Sequence, residues 1–229
     1  MIINNVKLVL DDEVVHGSLE VHDGRILAFA ESQSRLSQAL DGEGGWLLPG
    51  LIELHTDNLD KFFTPRPKVD WPAHSAMSSH DDATEAHVAE SHQLGSVIAE
   101  FPTTLAAAQA SRQHGMHVLM GAPNIVRGGS HSGNVAAHQL ASHGLLDILS
   151  SDYYPASLLD AAFRIADAED NAFTLPQAIR LVSQHPAQAL GLDDRGVIAE
   201  GKRADLVLAH RRGEHIQIDH VWRQGKRVF

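Results

Sequence analysis

The stretch LPGLIELHTDNLDKFF, from Leu48 to Phe63, joins an apolar run to a group of charged side chains. A buried strand that delivers acid-base or metal-ligating groups at its exit has this pattern, and a simple surface loop does not. His55 and Asp57 stand two residues apart at the end of the run, so their side chains point the same way on an extended chain. A nitrogen and an oxygen at this spacing suit one metal ion, but a helix-capping aspartate beside a packed histidine explains the same residues without a metal.

Composition limits the chemistry that the chain can perform. Its 229 residues contain no cysteine, so any transition metal must be held by imidazole and carboxylate groups, which suits zinc, manganese, nickel or iron. The formal net charge of -11 argues against nucleic acid as a partner. We find no signal peptide and no apolar run of the roughly 20 residues that a membrane helix needs, so we expect a cytoplasmic protein without a membrane partner.

The order of apolar and polar segments predicts an α/β fold. Short segments with the alternation of β-strands stand at both ends of the chain, and helical patterns alternate with short apolar runs from residue 82 to 191. Such alternation indicates parallel strands joined by crossover helices. We predict four strands of this kind, at Leu51 to Leu54, Val97 to Glu100, Val118 to Met120 and Ile148 to Leu149.

Further polar residues follow the predicted strands or stand in an acidic cluster. His80 begins the cluster His-Asp-Asp, and Asp152 follows the last predicted strand. In a barrel the carboxyl ends of the strands gather on one face, where active sites form. A carboxylate there can accept a proton from water that a metal activates, so Asp152 is a candidate base. The capping of the next helix by Asp152 is an equally good explanation from sequence alone.

The segment IVRGGSHSGN, residues 125 to 134, has the composition of an anion-binding loop. Consecutive glycines expose backbone N–H groups, and we expect a helix to begin near Asn134 and to point its positive end at the loop. The candidate phosphate-binding residues are Arg127, Gly128, Gly129, Ser130 and, from another part of the chain, Lys61. For Lys61 a solvated surface position is an equal alternative.

Two segments resemble the amidohydrolase superfamily. GGWLLPGLIELHTD at residues 44 to 57 resembles its first barrel strand, and GVIAEGKRADLVLAH at residues 196 to 210 resembles its closing sandwich segment. The motifs HTDNLDKFFTPRPKVDW, SHDDAT, LMGAPNIVRGGSHSGN and ILSSDYYPASLL are similar to one family within it, the α-D-ribose 1-methylphosphonate 5-triphosphate diphosphatases of the carbon-phosphorus lyase pathway.

The resemblance implies a fold and a metal-dependent reaction. The fold is an incomplete TIM-type (β/α) barrel at residues 51 to 194 and a small β-sandwich domain made from residues 1 to 50 and 195 to 229. A complete barrel takes about 250 residues by itself, so we expect an internal deletion near His80. The implied cofactor is a divalent metal held by His55, Asp57, His80 and Asp152, with His80 and Asp152 as catalytic residues. The implied reaction releases pyrophosphate from a small ribose triphosphate in phosphonate catabolism.

Two other functions stay open at this point. The chain is either another amidohydrolase, acting on a cyclic amide or an N-acetyl substrate, or a truncated and catalytically impaired remnant of the diphosphatase. A homo-oligomer is also left open.

Overall fold

The computed structural model describes residues 1–34, 36–55, 77–130 and 133–229, which contain two β-sheets. No helix among these residues is long and apolar enough to cross a membrane. In chain order the elements are β1 (Ile2–Val9), β2 (Val14–His22), β3 (Arg25–Ala30), β4 (Leu40–Asp41), β5 (Trp46–Pro49), β6 (Ser78–His80), α1 (Glu85–Gln93), β7 (Ile98–Glu100), α2 (Leu105–Gln113), β8 (His117–Gly121), α3 (Ala122–Arg127), α4 (Ala137–Ser142), β9 (Ile148–Ser150), α5 (Ser157–Asp167), α6 (Leu175–Arg180), α7 (Gln184–Ala189), β10 (Leu206–Arg212), β11 (His215–Arg223) and β12 (Lys226–Arg227).

The chain divides into two compact units. The first consists of Met1–Ile52, Thr174–Ala187 and Leu192–Phe229, and the second consists of Glu53–Phe173 and Gln188–Gly191. The sequence placed Thr174–Ala187 with the barrel segment, but these residues belong to the first unit because α6 packs beside β1.

Both ends of the chain build the sheet of the first unit. Its strands lie in the order β12-β11-β10-β5-β1-β2-β3, with β4 beside β1. Strand β10 from the C-terminal part pairs antiparallel with β5, and β5 runs parallel to β1. The apolar residues of β2 alternate with polar ones and face a core that includes Ile3, Leu47, Leu206 and Trp222.

A two-residue turn joins β2 to β3 as the Asp-Gly signal predicts. His22 and Arg25 are paired at the end of the ladder, and Asp23 and Gly24 between them have φ values of 47° and 75°. Positive φ at both central residues defines the type I′ turn, whose twist matches that of the two strands. The turn therefore fixes the register of this hairpin.

The second unit contains a four-stranded parallel sheet in the order β6-β7-β8-β9. On one face Ala99 packs with Val88 and Met116 in a small core. On the other face Ile98, Leu119 and Ile148 form a second core, against which Leu54, Phe101 and Ala189 pack. Parallel strands with crossover helices, together with the separate sheet of the first unit, confirm the prediction of an incomplete barrel plus a β domain.

The two crossover helices that precede β7 and β8 begin after a threonine N-cap and end before a glycine. The side chain of Thr84 accepts a hydrogen bond from the N–H of His87 at the start of α1, and that of Thr104 does the same for Ala107 in α2. Gly95 and Gly115 follow these helices with positive φ. A threonine cap and a following glycine thus bound each of the two helices.

One strand was not predicted, and one strand prediction is wrong. Ser78–His80 forms the edge strand β6, although this segment is short and polar, because it pairs in register with the apolar strand β7. Leu51 to Leu54 forms no strand among the described residues. The N–H of Ile52 donates instead to the carbonyl oxygen of Val182, and no continuous ladder covers the segment.

Candidate metal centre

Three potential metal ligands meet at the carboxyl ends of the parallel strands in the second unit. One ligand atom each from His55, His80 and Glu100 can be chosen so that all lie within 4.8 Å of one another. Two imidazole nitrogens and one carboxylate oxygen form a donor set that suits zinc and other transition metals. The residues present therefore fit the divalent metal that the sequence led us to expect.

The register of β6 and β7 places two of these ligands. His80 is the last residue of β6, Glu100 is the last residue of β7, and the two are direct partners in the parallel ladder. Paired residues of neighbouring strands point to the same face of a sheet, so both side chains reach the same space. The side chain of Glu100 is 12% exposed and that of His55 is 29% exposed, whereas that of His80 is 52% exposed, so the centre is open to solvent at His80.

Each histidine of the centre has a carboxylate at its Nδ1 atom. Nδ1 of His55 lies 2.9 Å from Oε2 of Glu100, and Nδ1 of His80 lies 3.0 Å from Oδ2 of Asp81. A carboxylate at one ring nitrogen fixes the tautomer of a ligating histidine and raises its basicity. With Nδ1 donating, Nε2 of each neutral imidazole keeps its lone pair for a ligand.

Phe101 lies between the two histidines and carries an unusual backbone conformation. Its ring centroid is 5.1 Å from that of His55 and 5.2 Å from that of His80, and the two imidazole centroids are 6.0 Å apart. The φ of Phe101 is 52°, in the left-handed region that a bulky side chain rarely adopts. Backbone strain of this kind is concentrated at functional sites.

Asp152 is close to this centre but does not belong to the ligand cluster. Its N–H donates to the carbonyl oxygen of His55 at 3.0 Å, which joins the two segments through the backbone. Its carboxylate lies over Gly121: a Cβ at Gly121 would be 3.1 Å from Oδ2 of Asp152 and 3.4 Å from a ring carbon of Phe101. Because Gly121 has no side chain, the carboxylate of Asp152 can occupy the space beside it.

The glycines of the predicted anion loop have a different role. Gly128 ends α3 with a φ of 81°, and the N–H groups of Gly128 and Gly129 both donate to the carbonyl oxygen of Asn124. These N–H groups therefore cap a helix C-terminus. The helix expected near Asn134 is α4, which begins only at Ala137. The observed helix cap therefore does not support phosphate binding by these two glycines, which stays a prediction.

The remaining predicted site residues fall into two groups. The guanidinium group of Arg127 lies 5.1 Å from the ring centroid of Tyr153, and Ser130 follows the glycines; their contact with phosphate stays a prediction. Asp57 and Lys61 lie outside the described residues.

Sequence reasoning missed Glu100. The candidates were polar residues that follow the apolar strands, whereas Glu100 is the last residue of its strand. The run VIAE ends in a carboxylate directly before a turn, and this signal was available in the sequence.

Comparisons with known proteins agree with this picture. Residues 74–229 match the model of the amidohydrolase family. The chain is 51% identical to the α-D-ribose 1-methylphosphonate 5-triphosphate diphosphatase of Escherichia coli (strain K12), over an alignment that covers all of both chains. The alignment extends over 378 positions and this chain has 229 residues, so the E. coli protein contains interior segments without a counterpart here. A long internal deletion is thereby confirmed, while its position near His80 stays a prediction.

Solved structures show the same fold at low sequence identity. A prolidase complexed with N-methylphosphonate-L-proline matches with a TM-score of 0.69 and 13% identity, covering 99% of this chain and 98% of that chain. A D-hydantoinase (dihydropyrimidinase) from Thermus sp. matches with a TM-score of 0.67 and 10% identity, covering 99% of this chain and 94% of that chain.

Proposed function

Because the chain belongs to the amidohydrolase family, we propose that it is a metal-dependent hydrolase that releases pyrophosphate from α-D-ribose 1-methylphosphonate 5-triphosphate. The observation that carries the proposal is the 51% identity to the E. coli diphosphatase, since relatives this similar usually share their substrate. The cluster of His55, His80 and Glu100 supports the metal dependence, because it offers three ligands of the appropriate chemistry in one place.

In this proposal the metal would be held by His55, His80 and Glu100, with one ligand atom from each. When bound, a divalent ion lowers the pKa of water and polarises a phosphoryl oxygen. Glu100 lies at Nδ1 of His55 and Asp81 lies at Nδ1 of His80, and these contacts hold both rings in one orientation before the metal binds. Asp57 remains a proposed further ligand.

Asp152 is the proposed proton acceptor. The carboxylate of Asp152, at this edge of the sheet, would take a proton from the attacking water. The backbone bond from Asp152 to His55 and the space over Gly121 keep the carboxylate beside the centre. Arg127, Ser130 and Lys61 are proposed to contact the triphosphate.

The test compares metal binding and product release in matched variants. We expect the purified protein supplied with manganese, zinc or nickel to release pyrophosphate from the ribose triphosphate, and His55→Ala to release none and to retain no metal. His92→Ala is the control, because His92 and His114 form an exposed pair with ring centroids 4.8 Å apart, away from the ligand cluster. Metal retention by His55→Ala equal to that of the native chain would contradict the proposed centre.

A substrate panel separates the reaction from that of other amidohydrolases. The native protein is offered cyclic amides and N-acetyl compounds beside the ribose triphosphate, at equal concentration and with the same metal. If the protein hydrolyses an amide and releases no pyrophosphate, the proposed substrate is wrong. This result would not contradict the proposed metal centre.

A further inference from the structure

We propose that Glu53 is a positioning residue that holds the backbone of His55 in place and thereby sets the affinity of the metal centre. The inference deepens the proposed function and rests on it. Its basis is that one carboxylate joins the segment carrying His55 to the end of β9.

Both oxygens of Glu53 accept hydrogen bonds from backbone groups. Oε1 accepts from the N–H of His55 at 2.8 Å, and Oε2 accepts from the N–H of Ser151 at 2.8 Å. The N–H of Asp152 completes the connection by donating to the carbonyl oxygen of His55 at 3.0 Å. Hydrogen bonds to an ionised acceptor are about twice as strong as those between neutral groups.

This connection replaces the strand that the sequence predicted. Leu51 to Leu54 forms no ladder among the described residues, so His55 is not held by regular sheet pairing as His80 and Glu100 are. A ligand must stay within about 0.5 Å of its working position to be effective. The two bonds of Glu53 and the bond from Asp152 hold the backbone of His55 beside β9.

The expected consequence is a change in metal affinity beyond any change in stability. His55 is fixed at its backbone through Glu53 and at its ring through Glu100, which lies on β7. Loss of the backbone connection leaves the ring bond alone to orient the ligand. Partners that orient metal ligands typically contribute 10- to 100-fold to metal affinity.

The experiment titrates the metal-free protein with Co²⁺ and follows its visible absorption, which reports both affinity and coordination geometry. In Glu53→Gln the amide NH₂ replaces one of the two acceptors, so we expect binding about 10- to 100-fold weaker and shifted absorption bands. Glu90→Gln, at an exposed position on α1, is the control and should bind Co²⁺ as the native chain does. Thermal melting of the metal-free proteins measures the purely structural effect.

The outcomes distinguish this inference from the proposed function. If the native protein binds no Co²⁺, the proposed metal centre is wrong. Native binding with an unchanged affinity and spectrum in folded Glu53→Gln would overturn the role of Glu53 alone. If Glu53→Gln does not fold, Glu53→Asp decides the question, because it keeps both oxygens but shortens their reach: weaker binding supports the inference and unchanged binding overturns it.

Discussion

Oε2 of Glu100 lies 2.9 Å from Nδ1 of His55, although 45 residues separate them in the chain. Glu100 is placed by the ladder between β6 and β7, while His55 is placed by contacts with the end of β9. The pair therefore brings together a residue of the inner strand β7 and a residue held at the edge strand β9. A side chain contact between such distant elements makes the centre sensitive to changes at either strand.

The first prediction concerns metal removal. Zinc at 100 times its dissociation constant stabilises a binding protein by about 2.7 kcal/mol, so we expect a chelator to lower the melting temperature of the native chain. Glu100→Gln loses the charge of one ligand and should show a much smaller shift between zinc and chelator. Calorimetry on both proteins at equal zinc concentration measures the two shifts, and equal shifts would contradict the role of Glu100.

The second prediction concerns the space over Gly121. Its φ of -73° is allowed for alanine, so Gly121→Ala acts through its methyl group and not through backbone strain. The methyl group would lie 3.1 Å from Oδ2 of Asp152 and should push this carboxylate away from its place. We expect metal content to be retained and pyrophosphate release to fall at least about 10-fold. Unchanged release would show that Asp152 does not act from this position.

The third prediction isolates the strain at Phe101. Its ring contacts both histidines, so Phe101→Ala and Phe101→Gly remove the same packing. Only glycine adopts a φ of 52° without cost, so the glycine variant should be more stable than the alanine variant by about 1 kcal/mol. This order is the reverse of the one expected in regular secondary structure. Urea unfolding of the two variants gives the difference, and greater stability of the alanine variant would refute the strain.

The fourth prediction concerns the cap of α2. Oγ1 of Thr104 accepts from the N–H of Ala107 at 3.0 Å and donates to the carbonyl oxygen of Ala83 at 2.9 Å. Thr104→Ala loses both bonds, and we expect it to lower the free energy of unfolding by about 1 to 2 kcal/mol. Thr104→Ser keeps both bonds and is the matched control. Equal stability of the alanine and serine variants in denaturant would show that the cap contributes nothing.

Features that depend on local chemistry were predictable from the sequence. The turn at Asp23 and Gly24 and the threonine caps at Thr84 and Thr104 depend on a few neighbouring residues. The sequence predicts His55 and His80 as metal ligands from their residue type and motif, and the structure places both in one cluster of potential ligands.

Features that depend on distant pairing were not predictable. The register of β6 with β7 pairs Glu100 with His80, and a side-chain contact across 45 residues joins Glu100 to His55; no local pattern encodes either one. The strand expected at Leu51 to Leu54 needs a neighbouring strand to form a ladder, and the N–H of Ile52 bonds instead to the carbonyl oxygen of Val182. The glycines after Arg127 fit both a phosphate loop and a helix cap, and only the structure distinguishes the two.

The last prediction is that turnover is low compared with the E. coli relative. That protein contains interior segments without a counterpart in this chain, and His55 lies on a segment without a regular ladder. A misplacement of about 1 Å in a catalytic group can reduce a rate about 100-fold, and the backbone of His55 depends on the few bonds to Glu53 and Asp152. We therefore expect a kcat for pyrophosphate release at least about 100-fold below that of the relative, assayed with the same metal and substrate. Metal-saturated protein that works within tenfold of the relative would show that the four strands hold the centre as well as a complete barrel does.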